Sequence, residues 1–227
     1  GGWLHLSKEA LVEDAIACKE AGFVGTKIKV GKPTLHEDIQ RLSAVRDAVG
    51  PDWEILVDAN QSFNVGEAIR RARYFEELSI GWFEEPLPAD DVTGHRRLAE
   101  STSIPIAVGE SIYSISSFKE YLHNNACSVV QVDVARIGGI TPWLKVAHLA
   151  ETYNVAVAPH FLMELHVALV CSVPASTRLE YIPQLDRITK SRMRLDKGQA
   201  YPSDWPGLGI EWDWQQITKM GQEFEVK

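Results

Sequence analysis

One feature constrains the fold of this sequence more than any other: short β-rich runs alternate with amphipathic stretches from end to end. The runs are Trp3–Leu6, Thr26–Val30, Ile55–Asp58, Trp82–Glu84, Ile106–Val108, Val129–Asp133, Val155–Ala158 and Leu179–Ile182, and seven helical stretches separate them. Such an alternation predicts a parallel sheet, because two parallel strands cannot be joined without a crossover. Eight runs in 227 residues favour closure into a barrel over an open doubly wound sheet. No Gly-x-Gly-x-x-Gly turn follows the first run, so a dinucleotide-binding fold is not supported.

The helix boundaries carry their own signals. Thr34, with Glu37 three residues on, reads as a capping box ahead of an apolar stripe at Leu35, Ile39, Leu42, Val45 and Val49, and Gly50 ends it. Asn64 and Glu67 repeat the cap before Val65, Ile69, Ala72, Phe75 and Leu78. Gly138-Gly139 followed by Thr141-Pro142 starts a third helix, with proline in a tolerated first turn.

In such a barrel the active site lies at the C-terminal ends of the strands. There this sequence places Lys27 and Lys29, then Asp58 with Asn60, Glu84, Glu110, Asp133, His160 and Glu180. From Lys29 the steps are 29, 26, 26, 23, 27 and 20 residues, about one strand–helix unit each. A single polar strand end is ordinary, but a whole series of semi-buried charges needs partners or a metal.

The middle members, Asp58, Glu84 and Glu110, are all carboxylates, which repel unless a cation lies among them. Oxygen-only ligation suits Mg²⁺, with Mn²⁺ as a substitute, and disfavours zinc. Glu85 is a weaker candidate, expected in an ion pair beneath the site. Asn60 could support the site or touch substrate. Lys27 and Lys29 alternate along one strand and so share a face. A lysine beside a metal and a second lysine should have its pKa lowered, which suits proton abstraction. Asp133 and His160 close consecutive strands; an aspartate beside a histidine fixes its tautomer and raises its basicity. His166, His95, His123 and His148 read as structural.

Composition narrows the partners. A formal charge of -8 argues against nucleic acid or an anionic membrane, and no apolar run approaches the ~18 residues of a membrane span. Cys18, Cys127 and Cys171 are scattered, without zinc-type spacing, which suggests unbridged thiols in a reducing compartment. With no signal peptide ahead of Gly1, a cytoplasmic location is expected.

Taken in order, Lys-Ile-Lys-Val-Gly, Val-Asp-Ala-Asn-Gln, Phe-Glu-Glu-Pro, Gly-Glu-Ser, Asp133 with Arg-Ile-Gly-Gly, and Ala-Pro-His resemble the mandelate racemase group of the enolase superfamily. The resemblance implies a (β/α)7β barrel and Mg²⁺ on Asp58, Glu84 and Glu110. It implies Lys29 and His160 as acid/bases on opposite faces, Lys27 and Glu180 at the substrate carboxylate, and Asp133 paired with His160. Lys-or-His bases with Mg²⁺ are general in that superfamily. The implied chemistry removes a proton α to a carboxylate, a step that needs cations where the second negative charge develops.

Gly-Gly-Trp-Leu-His, Lys-Ile-Lys-Val-Gly-Lys-Pro and Ala-Pro-His-Phe-Leu-Met-Glu-Leu-His look most like the sugar-diacid dehydratases acting on galactarate or talarate. Racemisation or epimerisation of a 2-hydroxy acid by the same residues is the alternative. A Schiff-base aldolase barrel would not need the carboxylate trio, and a non-catalytic scaffold would keep it only by accident. Arg136 and Glu164 lie in matching segments without an assignable role. Family members carry an N-terminal cap domain; none is expected within these residues, and one is expected in the full-length parent. The barrel is expected over residues 1–190, with 191–227 packed on it or on the cap. A small-molecule carboxylate is the expected partner, and a homo-oligomer the expected assembly.

Overall fold

The computed structural model of the chain describes residues 2–176 and 178–221. Seven helices alternate with six strands: α1 (Lys8–Glu20), β1 (Gly25–Lys29), α2 (Leu35–Val49), β2 (Glu54–Asp58), α3 (Val65–Glu77), β3 (Phe83–Glu84) and α4 (Val92–Ala99). Then follow β4 (Ile106–Val108), α5 (Ile115–His123), β5 (Val129–Val130), α6 (Ile140–Thr152), β6 (Ala156–Val157) and α7 (Met163–Ser172). The strands form one sheet in the order β1-β2-β3-β4-β5-β6, with every pair parallel. Sequential parallel order with a helix in each crossover is the winding of a β/α barrel.

Two apolar clusters show that the sheet curls. The larger fills the space between helices and strands, with Leu42, Phe75, Phe118 and Trp143 fully buried on the helix side. The smaller gathers Leu56, Trp82, Ala107, Val129 and Ala158, from β2 through β6 or their ends. Residues from five consecutive strands meet in one small cluster only if the sheet wraps around it, so this is the barrel interior. The chain beyond α7 also returns to the start of the sheet, where Arg178 pairs with Glu54 and Glu180 with Lys27.

Helix starts follow the sequence chemistry. The Thr34 hydroxyl accepts from the Glu37 amide at 3.3 Å, and the Glu37 carboxylate accepts from the Thr34 amide at 3.0 Å; such a cap is worth about 1 kcal/mol. Gly50, at φ 84°, ends α2, Asn64 caps α3, and α6 begins after Gly139.

Two expected strands do not form. Residues 3–6 make a turn, with the Leu6 amide donating to the Trp3 carbonyl, and Ser7 caps α1 directly after it. The apolar character of Trp3 and Leu4 serves no sheet there. On its side away from β2, β1 is joined by Gly2, whose carbonyl accepts from the Lys29 amide at 2.7 Å. Leu179–Ile182 likewise lacks a strand ladder and is anchored through the Glu180 side chain. Beyond it, β7 (Arg194–Asp196) and β8 (Gln199–Tyr201) form an antiparallel hairpin near Gly22, and α8 spans Trp214–Met220. Residues 222–227 of the expected C-terminal segment lie outside the described residues.

Candidate active site and metal centre

Strand register assembles the acidic trio. Lys29 lies opposite Asp58 and Asp58 opposite Glu84, so three side chains stand at one level on neighbouring strands. Glu110 arrives from the loop after β4. That loop passes so close to β5 that a Cβ on Gly109, at φ 152°, would meet the Gln131 backbone at 2.5 Å; only glycine fits. Asp58, Glu84 and Glu110 each place one carboxylate oxygen within 4.8 Å of the others. Asp58 and Glu84 are fully buried, and Oε2 of Glu110 is buried without a hydrogen-bond partner.

Two ammonium groups neutralise part of this charge. Lys27 Nζ donates to Glu84 Oε1 at 2.9 Å, pairs with Glu180 and lies 3.9 Å from Asp58. Lys29 Nζ pairs with Asp58, and the Trp3 ring centroid lies 6.0 Å from it. Burial alone would lower the Lys27 ammonium, but Glu84, Glu180 and Asp58 outweigh it and hold the group above the ordinary lysine value. Burial pushes Glu84 up to about 8, against the pull of Lys27.

On the other side of the trio, His160 Nδ1 lies 2.8 Å from Asp133 Oδ2, and His160 Nε2 lies 3.4 Å from Glu110 Oε2. Asp133 Oδ1 accepts from the amides of Ala135 and Arg136. Burial would raise the Asp133 carboxyl, but the His160 hydrogen bond and these amides bring it below the ordinary value. Phe161 and Leu162, directly after His160, hold φ of 52° and 36°. That is strained backbone for bulky side chains, and the Phe161 amide donates to Glu180 Oε2 at 2.7 Å.

Glu180 is thus an acceptor for Lys27 and Phe161. Although burial opposes it, Lys27 holds its carboxyl below the usual range. A hydrogen bond from Glu180 to a substrate carboxylate would need a protonated acid, so its immediate work here is to hold Lys27. Asn60, exposed and at φ 42°, donates its amide to Asp58 Oδ1 and faces the same cavity. Glu85 departs from expectation. Among the described residues it makes no ion pair, and it accepts instead from the Ser111 amide and Gln61.

Several supporting residues gave no sequence signal of their role. His166 accepts from the Val134 amide at 3.0 Å and donates to the Phe161 carbonyl at 2.7 Å, joining the loops that carry Asp133 and His160. Arg41 donates to the carbonyls of Lys29 and Trp3. Asp38 accepts from the Gly31 and Lys32 amides and pairs with buried Arg71, so breaking that pair should cost about 3–5 kcal/mol. The only sequence hint was a pair of opposite charges, Asp38 and Arg41, set into the apolar stripe of α2.

The trio opens into a cavity of about 1190 Å³ lined by Lys27, Lys29, Asn60, Arg136, His160 and Glu180, among others. The donor set fits a hard divalent cation: three carboxylate oxygens converge, the set among the described residues contains no histidine or cysteine, and one buried oxygen has no hydrogen-bond partner. The free thiols of Cys18, Cys127 and Cys171 lie outside this set. No helix among the described residues is long and apolar enough to cross a membrane.

Residues 10–216 match the family described as Enolase C-terminal domain-like. The chain is 38% identical to the L-talarate/galactarate dehydratase of Salmonella typhimurium over 223 residues, covering 96% of this chain and 56% of that protein. It is 35% identical to the arabinonate dehydratase of Saccharolobus solfataricus, covering 92% of this chain and 59% of that one. The structure of L-talarate dehydratase from a Polaromonas species, complexed with Mg and L-glucarate, superposes with a TM-score of 0.91 at 38% identity, over 96% of this chain and 61% of that chain. The chain therefore spans little more than half the length of the curated relatives it matches.

Proposed function

The chain belongs to the enolase C-terminal domain-like family, and on that premise we propose that its site dehydrates a sugar acid, galactarate or talarate being the leading candidates, to a 2-keto-3-deoxy acid. The carrying observation is that two proton carriers flank one carboxylate trio: Lys29 on Asp58, and the Asp133–His160 pair on Glu110.

In this reading Asp58, Glu84 and Glu110 hold Mg²⁺, or Mn²⁺ in its place. When bound, the cation supplies charge that offsets the second negative charge developing on the substrate carboxylate. Lys27, steadied by Glu180, contacts that carboxylate, and Asn60 faces the substrate. Lys29, as the free amine, takes the α-proton. His160, as the imidazolium with Nδ1–H on Asp133, gives its Nε2 proton to the β-hydroxyl. One C–H and one C–O bond break, water leaves, and the enol tautomerises to the ketone.

The test is product analysis with hexaric acids and Mg²⁺. Formation of a 2-keto acid supports the reading. Solvent deuterium entering the α-position with no keto acid would replace it with racemisation. Mg²⁺ binding with neither outcome across the panel would point to a non-catalytic barrel.

A further inference from the structure

Arg136 has no part in the chemistry above, yet each of its three guanidinium nitrogens has a contact with Glu110 or Asp133. Nη1 donates to the Glu110 carbonyl at 2.9 Å, Nη2 lies 3.2 Å from Glu110 Oε1, and Nε lies 3.8 Å from Asp133 Oδ2. The two contacts with Glu110 grip both ends of one residue, its backbone and its carboxylate. They occupy Oε1 and leave Oε2 buried and bare. Oε2 is also the oxygen 3.4 Å from His160 Nε2. On its third side the guanidinium approaches Asp133 Oδ2, which holds His160 Nδ1.

We propose that Arg136 is a positioning residue that turns Glu110 so that Oε2 faces the divalent cation, and that locks this arm of the site to the Asp133–His160 pair. The proposal rests on the metal-centre reading of the trio. A one-third-exposed ion pair would by itself contribute little. What matters here is geometry. A buried carboxylate oxygen left without a hydrogen-bond partner is unfavourable, so the guanidinium fork must fix an orientation that a free glutamate would abandon for solvent. Lysine cannot reproduce that fork, because one ammonium cannot span a carbonyl and a carboxylate in a fixed plane.

The sign of the effect on metal binding separates positioning from charge. If Arg136 acted only as a positive charge near the cation, Arg136→Gln would tighten Mg²⁺ and Arg136→Lys would leave it unchanged. As a positioning residue, Arg136→Gln should weaken Mg²⁺ by about 10- to 100-fold, the usual loss when a residue orienting a metal ligand is removed. Arg136→Lys should also bind more weakly than wild type. Calorimetric titration with Mg²⁺ alone, at fixed pH and ionic strength, reads both variants without any turnover assay, and circular dichroism confirms folding. Equal or tighter binding by Arg136→Gln overturns the proposal. Should that variant not fold, wild-type affinity in Arg136→Lys overturns it just as well. A wild type that binds no Mg²⁺ removes the metal-centre reading and the proposal with it, whereas wild-type binding with unaltered variants removes the proposal alone.

Discussion

His160 Nδ1 lies 2.8 Å from Asp133 Oδ2, and the same ring places Nε2 3.4 Å from the bare oxygen of Glu110. The aspartate therefore fixes which nitrogen faces the cavity. Replacing Asp133 with Asn keeps the shape and removes the carboxylate that accepts from Nδ1 and fixes the tautomer. Turnover should fall by about 10²-fold or more, while Mg²⁺ affinity stays within a few-fold, because Asp133 is outside the trio. Steady-state keto-acid formation and a Mg²⁺ titration on the same sample decide it; undiminished turnover would make the pair purely structural.

Metal binding should depend on pH through Glu84. Burial raises its carboxyl to about 8, so below that pH the cation must displace a proton, and above it the ligand is already ionised. Affinity should therefore rise with pH and level off above about 8, by up to roughly tenfold per unit where one proton is released. Calorimetry in two buffers of different ionisation heat counts that proton directly. A flat profile from pH 6 to 9, with no proton released, would contradict the assignment.

His166 is predicted to matter twice. His166→Phe orphans the Val134 amide and the Phe161 carbonyl, at about 1–3 kcal/mol for each buried group, and frees the loops holding Asp133 and His160. Burial depresses the native imidazole below its ordinary 6.5. The unfolded chain then binds more protons just below pH 6.5, so the stability His166 contributes is present above that pH and lost as pH falls through the window. Urea melts at several pH values should show a shallower acid decline in the variant. An unchanged slope would mean that the ring is not held neutral.

These residues also mark what the sequence could show. One charged group per strand–helix unit was legible because parallel winding brings every strand end to the same face, and the spacing survives in the sequence. Trp3–Leu6 misled because an apolar run looks alike in a strand and in a turn; the deciding feature, Ser7 capping α1, is a local contact. His166, Arg41 and Arg136 stayed unreadable for a different reason. Their partners include backbone groups: the Val134 amide and the Phe161, Lys29, Trp3 and Glu110 carbonyls. A backbone partner leaves no residue type to recognise.

The two proton carriers can be told apart by exchange. Lys29 pairs with Asp58 and His160 with Asp133 beside Glu110, so they approach the trio from different sides, and each should serve one configuration of the substrate's α-carbon. With a substrate whose α-proton faces Lys29, Lys29→Ala should abolish solvent deuterium exchange. His160→Asn should still allow exchange by Lys29 while blocking loss of the hydroxyl. Either loss should amount to about 10²–10⁴-fold, well beyond what a small change in stability produces. The measurement is deuterium incorporation followed by NMR in Mg²⁺-containing buffer, with circular dichroism confirming that both variants fold. Full exchange by Lys29→Ala with substrates of both configurations would show that the lysine is not a base, and the assignment of one carrier to each face would have to be given up.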